Sequence, residues 1–113
     1  MNYVMQYNGR PCVREKVSPG DTATGITSTV YAPTSGTFKG KLAKTAVIQN
    51  QGTGTAKVNI TSAAPTAAAG TDIGMLLTQN NIMTLDTFEA IKAFKAIDNV
   101  SGETSKLEIW CYF

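Results

Sequence analysis

The clearest periodicity in the chain lies at residues 55–61, where Ala56, Val58 and Ile60 alternate with Thr55, Lys57, Asn59 and Thr61. A period of two is that of a half-buried strand. Residues 105–113 repeat it, with Leu107, Ile109 and Cys111 on one face and Lys106, Glu108, Trp110 and Tyr112 on the other. Residues 42–50 read the same way, Ala46 and Ile48 against Val47 and Gln49. Shorter extended pieces are expected at Tyr3–Tyr7, Cys12–Val17, the β-branched stretch 21–33, Met75–Leu77 and Ile82–Asp86.

Turn residues punctuate these runs. Asn8-Gly9-Arg10-Pro11, Ser18-Pro19-Gly20, Gln79-Asn80-Asn81 and Asn99-Val-Ser-Gly-Glu103 are all rich in Gly, Pro or Asn. The Asn pair at 80–81 suits a tight hairpin. Gly52-Thr-Gly-Thr reads as the tip of another, joining Ala46–Gln49 to Ala56–Thr61, with Lys57 on its outer face. Residues 34–41 and 62–72 read as surface loops. The apolar positions Phe88, Ile91, Phe94 and Ile97 recur every third residue. On a helix that row drifts by about 60° each step, so one helical turn at 87–90 and a strand over 92–98 are expected.

The tally is about eight short strands with frequent turns, an all-β pattern. The expectation is a single antiparallel β-sandwich, jelly-roll-like, over residues 21–113. Residues 1–20 are either its first hairpin or an arm reaching a neighbour. A chain of 113 residues suits one domain.

Composition narrows the function. Charged residues are 16% of the chain, below the roughly 25% of typical soluble domains, which suits a surface packed against neighbours. Net charge is +2, too small to argue for nucleic acid. Residues 1–57 carry seven basic and two acidic side chains, and residues 58–113 carry three and six. Either copies attract one another through opposite faces, or the basic face docks on an acidic host surface, or the charges are scattered and solvated. The start, MNYVMQYNGR, lacks the basic-then-apolar order of a signal peptide. No apolar run approaches the roughly 20 residues of a membrane span, so neither a cleavable signal nor a membrane partner is expected.

There is no histidine, which removes the usual general base and metal ligand. The carboxylates are scattered singly. No catalytic residue, metal or cofactor is expected, and the chain is read as a non-enzyme. Cys12 and Cys111 are too far apart in sequence for a metal motif. They either bridge paired terminal strands or stay as two small buried thiols. Gly52-Thr-Gly-Thr-Ala-Lys57 is not a phosphate loop: one residue separates the glycines, no Ser or Thr follows the lysine, and a strand follows where a helix is needed. Candidate protein contacts are the aromatics Tyr3, Tyr7, Trp110 and Tyr112 and the cations Arg10, Arg14, Lys39, Lys41 and Lys44. Trp110 and Tyr112 lie opposite the expected core, where they suit a glycan-stacking platform, a subunit contact or the packing of a second apolar face.

Three stretches, ATGITSTVYAP (23–33), PTAAAGTDIGMLLTQNNIMTLDTFEAIKAFKAI (65–97) and SKLEIWCYF (105–113), resemble small virion structural proteins of tailed bacteriophages. The shared order is a Thr/Ala-rich strand, a Pro-Thr loop, Gly-x-Leu-Leu, a turn, Leu-Thr-Leu, an Ile/Phe/Ala/Ile segment and an aromatic terminal strand. The chain departs at Gln79-Asn80-Asn81, where the pattern calls for glycine. The resemblance implies a β-sandwich or jelly roll that decorates or cements the capsid as a trimer. Its implied partners are other copies of itself and the major capsid protein, on the virion surface, after synthesis in the host cytoplasm. The alternative it leaves is a head-fibre or tail-associated module that binds host-surface glycans.

Overall fold

A computed structural model describes residues 12–61 and 74–113. Eight strands and two short helices follow one another: β1 (Cys12–Val17), β2 (Thr24–Gly25), α1 (Ser28–Tyr31), β3 (Thr45–Asn50), β4 (Ala56–Asn59), β5 (Met75–Leu77), β6 (Ile82–Leu85), α2 (Phe88–Ala93), β7 (Lys95–Asp98) and β8 (Leu107–Tyr112). They form two packed four-stranded antiparallel sheets, in the orders β1-β8-β3-β6 and β2-β7-β4-β5. The chain is a β-sandwich.

The pairing follows one rule. β1 pairs with β8, β2 with β7, β3 with β6 and β4 with β5. This is one long hairpin rolled over on itself, the strand order of a jelly roll. Only the β4–β5 link stays within a sheet; every other connection crosses from one sheet to the other.

That rule corrects both expected hairpins. β3 and β4 belong to different sheets, so residues 51–55 bridge the sandwich and are not a hairpin tip. β5 and β6 are likewise split between sheets, although the turn between them is as tight as expected. Asn80 there adopts φ 67°, the left-handed conformation that glycine would otherwise supply. β1 pairs with the last strand, while Tyr3–Tyr7 and Asn8–Pro11, the rest of the expected first hairpin or arm, lie outside the described residues.

The stretch 21–33 yields a two-residue strand and the helical turn α1 instead of a strand. Glu15 on β1 fixes this turn: its carboxylate accepts from the Thr27 backbone N–H at 3.0 Å and from the Thr27 hydroxyl. The second helical segment is longer than one turn. Thr87 caps it by accepting from the Ala90 N–H at 3.1 Å. Ile91 and Phe94 then point into the core, and the strand starts only at Lys95.

The core lies between the sheets. Ala46, Ile48, Leu107, Ile109 and Cys111 come from one, and Ala56, Val58, Leu77 and Ala96 from the other. These are the inward sets of the alternating stretches. A second cluster of Val47, Trp110 and Tyr112, with Cys12 packed against it, occupies the opposite face of the first sheet.

Candidate functional site

The three candidate lysines sit on the link from α1 to β3. Lys39, Lys41 and Lys44 are all exposed. Their loop is tied down by its own backbone: Gly40 N–H donates to Pro33 O at 3.1 Å, Lys41 N–H to Phe38 O at 2.9 Å, and Lys44 N–H to Tyr112 O at 2.8 Å. Gly36 and Gly40 turn the chain at φ 80° and 79°, values that glycine takes without a steric penalty. Phe38 stacks on Phe113 with ring centroids 4.6 Å apart, pinning the loop to the end of the terminal strand. Beside it lies a cleft of about 560 Å³, bounded by Val13, Val30, Pro33 and residues 34–38. The loop presents three ammonium groups from an anchored frame at one end of the sandwich.

Arg14 lies on β1, an edge strand among the described residues. Its guanidinium reaches the Glu108 carboxylate at 3.3 Å, and Lys16 approaches the other oxygen at 4.0 Å. Glu108 is 4% exposed, so the two edge cations flank a carboxylate largely removed from water. Arg14 is thereby committed to its own chain as well as being exposed.

Of the alternatives for Trp110 and Tyr112, the structure shows packing in a second apolar face. They are 6% and 0% exposed. Alternation places them opposite the core, as read, but β8 is central in its sheet, between β1 and β3. Arg14 and Val47 flank Trp110 in register, and Cys12 and Thr45 flank Tyr112. A ring wedged into such a row offers no free face to a sugar. Tyr3, Tyr7 and Arg10 lie outside the described residues.

The glycine stretch holds a polar cluster that the pattern of the chain does not announce. Asn50 ends β3 and is fully buried. Its Nδ2 donates to Gly54 O and Leu77 O, both at 2.8 Å. Its Oδ1 accepts from Gly52 N–H at 3.0 Å and Lys106 N–H at 3.2 Å. Gly52 and Gly54 are not at left-handed angles. They are glycine because the 104–106 backbone presses on them: a Cβ at Gly52 would lie 2.6 Å from Lys106 N, and one at Gly54 would lie 2.7 Å from Thr104 N. No anion can enter where another strand of backbone already lies. Lys57, expected on an outer face, is 2% exposed, with its stem so close to Gly74 that a Cβ there would sit 2.7 Å from Lys57 Cγ. Nearby, Asp98 accepts from Ser105 through both its N–H, at 3.1 Å, and its hydroxyl, closing the last turn. These groups build the fold.

Both cysteines are free. Cys12 faces Tyr112 in register and Val13 faces Cys111, so the thiols project from opposite faces of one sheet and do not meet. Burial pushes the Cys111 thiol to about 12, with the Glu15 charge adding to the rise. Burial also raises Cys12, opposed by a bond with Tyr112 and by the Arg14 charge. Neither is an activated nucleophile. Among the described residues no three His, Cys, Asp or Glu side chains gather to hold a metal, and no helix is long and apolar enough to cross a membrane.

What the candidate list lacks is an apolar rim. Met75 and Leu76 on β5 are 63% and 58% exposed, and Ile60 and Ile82 nearby are 42% and 39% exposed. The uncharged run from Ile73 to Leu85 was a signal for it in the sequence. Comparison with protein-family models, curated proteins and solved structures gave no match.

Proposed function

We propose that this chain is a bacteriophage virion structural protein, a decoration or cement protein that binds the outer capsid surface and stabilises the head. The observation that carries the reading is the ordered resemblance of residues 23–33, 65–97 and 105–113 to such proteins. Where described, those stretches are β2 with α1, β5 through β7, and β8, which lie in both sheets of the sandwich. The surface suits the role. A lysine loop held by an aromatic stack offers positive charge to a carboxylate-bearing capsid face. An apolar edge offers area to a neighbour. Assembly as a homo-oligomer, a trimer by the resemblance, covers such an edge.

The proposal is tested on particles. Recombinant protein is added to heads lacking it, and bound copies are counted by mass spectrometry after sedimentation. Saturable binding with raised heat resistance of the head is expected. A protein that neither binds heads nor occurs in purified virions overturns the reading.

A further inference from the structure

The cleft beside the lysine loop has walls of a distinct chemistry. Apart from Val13, they come from one continuous stretch, residues 29–38, and the cleft holds about 560 Å³, a size that suits a small organic ligand. Val30, Pro33 and Phe38 make its walls partly apolar, and Thr29, Thr34, Ser35 and Thr37 bring hydroxyls to it.

What these walls hold in excess is hydrogen-bond donors. Among the described residues, no protein group accepts from the N–H groups of Thr34 through Phe38 or pairs with the hydroxyls of Thr29, Thr34, Ser35 and Thr37. Gly36 sits at φ 80°, and a Cβ there would meet nothing within 4 Å, so the backbone is open on that side. Successive N–H groups around a left-handed residue form concavities that bind anions. No carboxylate is among the described residues that line the cleft. None occurs in the chain between Asp21 and Asp72, and Glu15 of β1 is taken up by Thr27. Lys39 continues the wall from Phe38, and its N–H returns to Gly36 O at 3.2 Å. Lys39 and Lys41 are exposed, with no ion-pair partner among the described residues. The Gly40 to Pro33 hydrogen bond and the stack of Phe38 on Phe113 set this wall in advance, so little freedom is lost on binding.

We propose that this cleft binds an acidic saccharide, a sugar ring carrying a carboxylate. The C–H face of the ring packs on Val30, Pro33 and Phe38. Ring and hydroxyl oxygens accept from the loop N–H groups, and the Ser and Thr hydroxyls both donate to the sugar and accept from it. Lys39 and Lys41 meet the carboxylate with charge-assisted bonds. A neutral sugar leaves the two ammonium groups unused, and a small anion leaves the apolar wall unused. An acidic protein face meets the lysines without filling the recess. The proposal goes beyond the virion reading and does not depend on it.

The test is amide NMR of the isotope-labelled full chain, titrated with glucuronic acid, with glucose and sodium acetate as controls. Saturable shifts at the amides of residues 29–41 are expected, with a Kd on the order of 1 mM. Glucose and acetate should each bind at least about tenfold more weakly. The double variant Lys39→Gln, Lys41→Gln should bind glucuronic acid no better than glucose, and Thr37→Val should weaken both sugars. All three positions are exposed, so the rest of the amide spectrum should stay native. No saturable shift at about 30 mM, an equal response to acetate or to glucose, or a double variant that binds as wild type does, overturns the proposal. If glucuronic acid fails and the double variant loses head binding, the loop serves the capsid face. The saccharide site then fails while the virion reading stands. If glucuronic acid binds as expected and no form binds heads, the virion reading fails and the saccharide site stands.

Discussion

The Asn50 side-chain amide donates to the Leu77 carbonyl at 2.8 Å, joining the last residue of β3 to the last residue of β5 across the two sheets. The same amide holds Gly54 O, and its oxygen holds Gly52 and Lys106 N–H. One buried side chain thus satisfies four backbone groups from three segments. Asn50→Ala leaves those groups buried without these partners, each costing about 1–3 kcal/mol. A total loss of at least about 3 kcal/mol in urea unfolding is expected. A loss near zero would show that Asn50 is not the tie between the sheets.

Gly54 and Gly40 are glycines for different reasons, and substitution separates them. At Gly54 a Cβ meets the Thr104 backbone at 2.7 Å, whereas at Gly40 it meets nothing within 4 Å and the constraint is φ 79°. Gly54→Ala should cost about 3 kcal/mol through forced displacement of the 104–106 segment. Gly40→Ala should cost only about 1–2 kcal/mol of backbone strain, and Gly40→Asn less. Equal losses at both positions, measured by urea unfolding, would refute the distinction.

Trp110 is the chain's single tryptophan, so its fluorescence reports one place. Its burial predicts a blue-shifted native emission, resistant to acrylamide, that shifts red on unfolding. Trp110→Ala should cost about 3–5 kcal/mol by truncating a buried ring. A red native emission with little loss of stability would restore the outward platform that the structure removes.

The cysteines differ in reach. In the native protein Cys111 should resist a thiol reagent at pH 8, Cys12 should react slowly, and both should react in denaturant. Cys111 has an ordinary value of 9.0 and sits at about 12 in the fold. The unfolded chain therefore loses this proton first, and the stabilisation present below pH 9 is lost as pH rises toward 12. Cys111→Ala should flatten that decline in unfolding measurements. An unchanged slope would assign it to other groups.

Much of this fold was legible in local pattern. The alternation at Leu107, Ile109 and Cys111 and at Ala56 and Val58 marked the inward faces correctly, because side chains of a strand alternate whatever it pairs with. The turn at Gln79–Asn81 was visible because asparagine tolerates the conformation it holds there. The exposed lysines were visible as a loop rich in glycine and polar residues.

Three things were not local. Alternation sends Trp110 and Tyr112 to one face of β8 but does not say whether that face meets water; the central position of the strand between β1 and β3 belongs to the tertiary structure. The stretch around Gly52 and Gly54 has a hairpin's composition, and only the crossing of the chain between sheets turns it into a strap under residues 104–106. Asn50 looks like one more polar strand end until Leu77 and Lys106 arrive from 27 and 56 residues away. By itself the sequence determined which residues extend, where they turn and which side chains share a face, since these follow from backbone geometry over a few residues. Which strand lies beside which, and hence which faces are covered, was decided by the burial of both sheets in a single core.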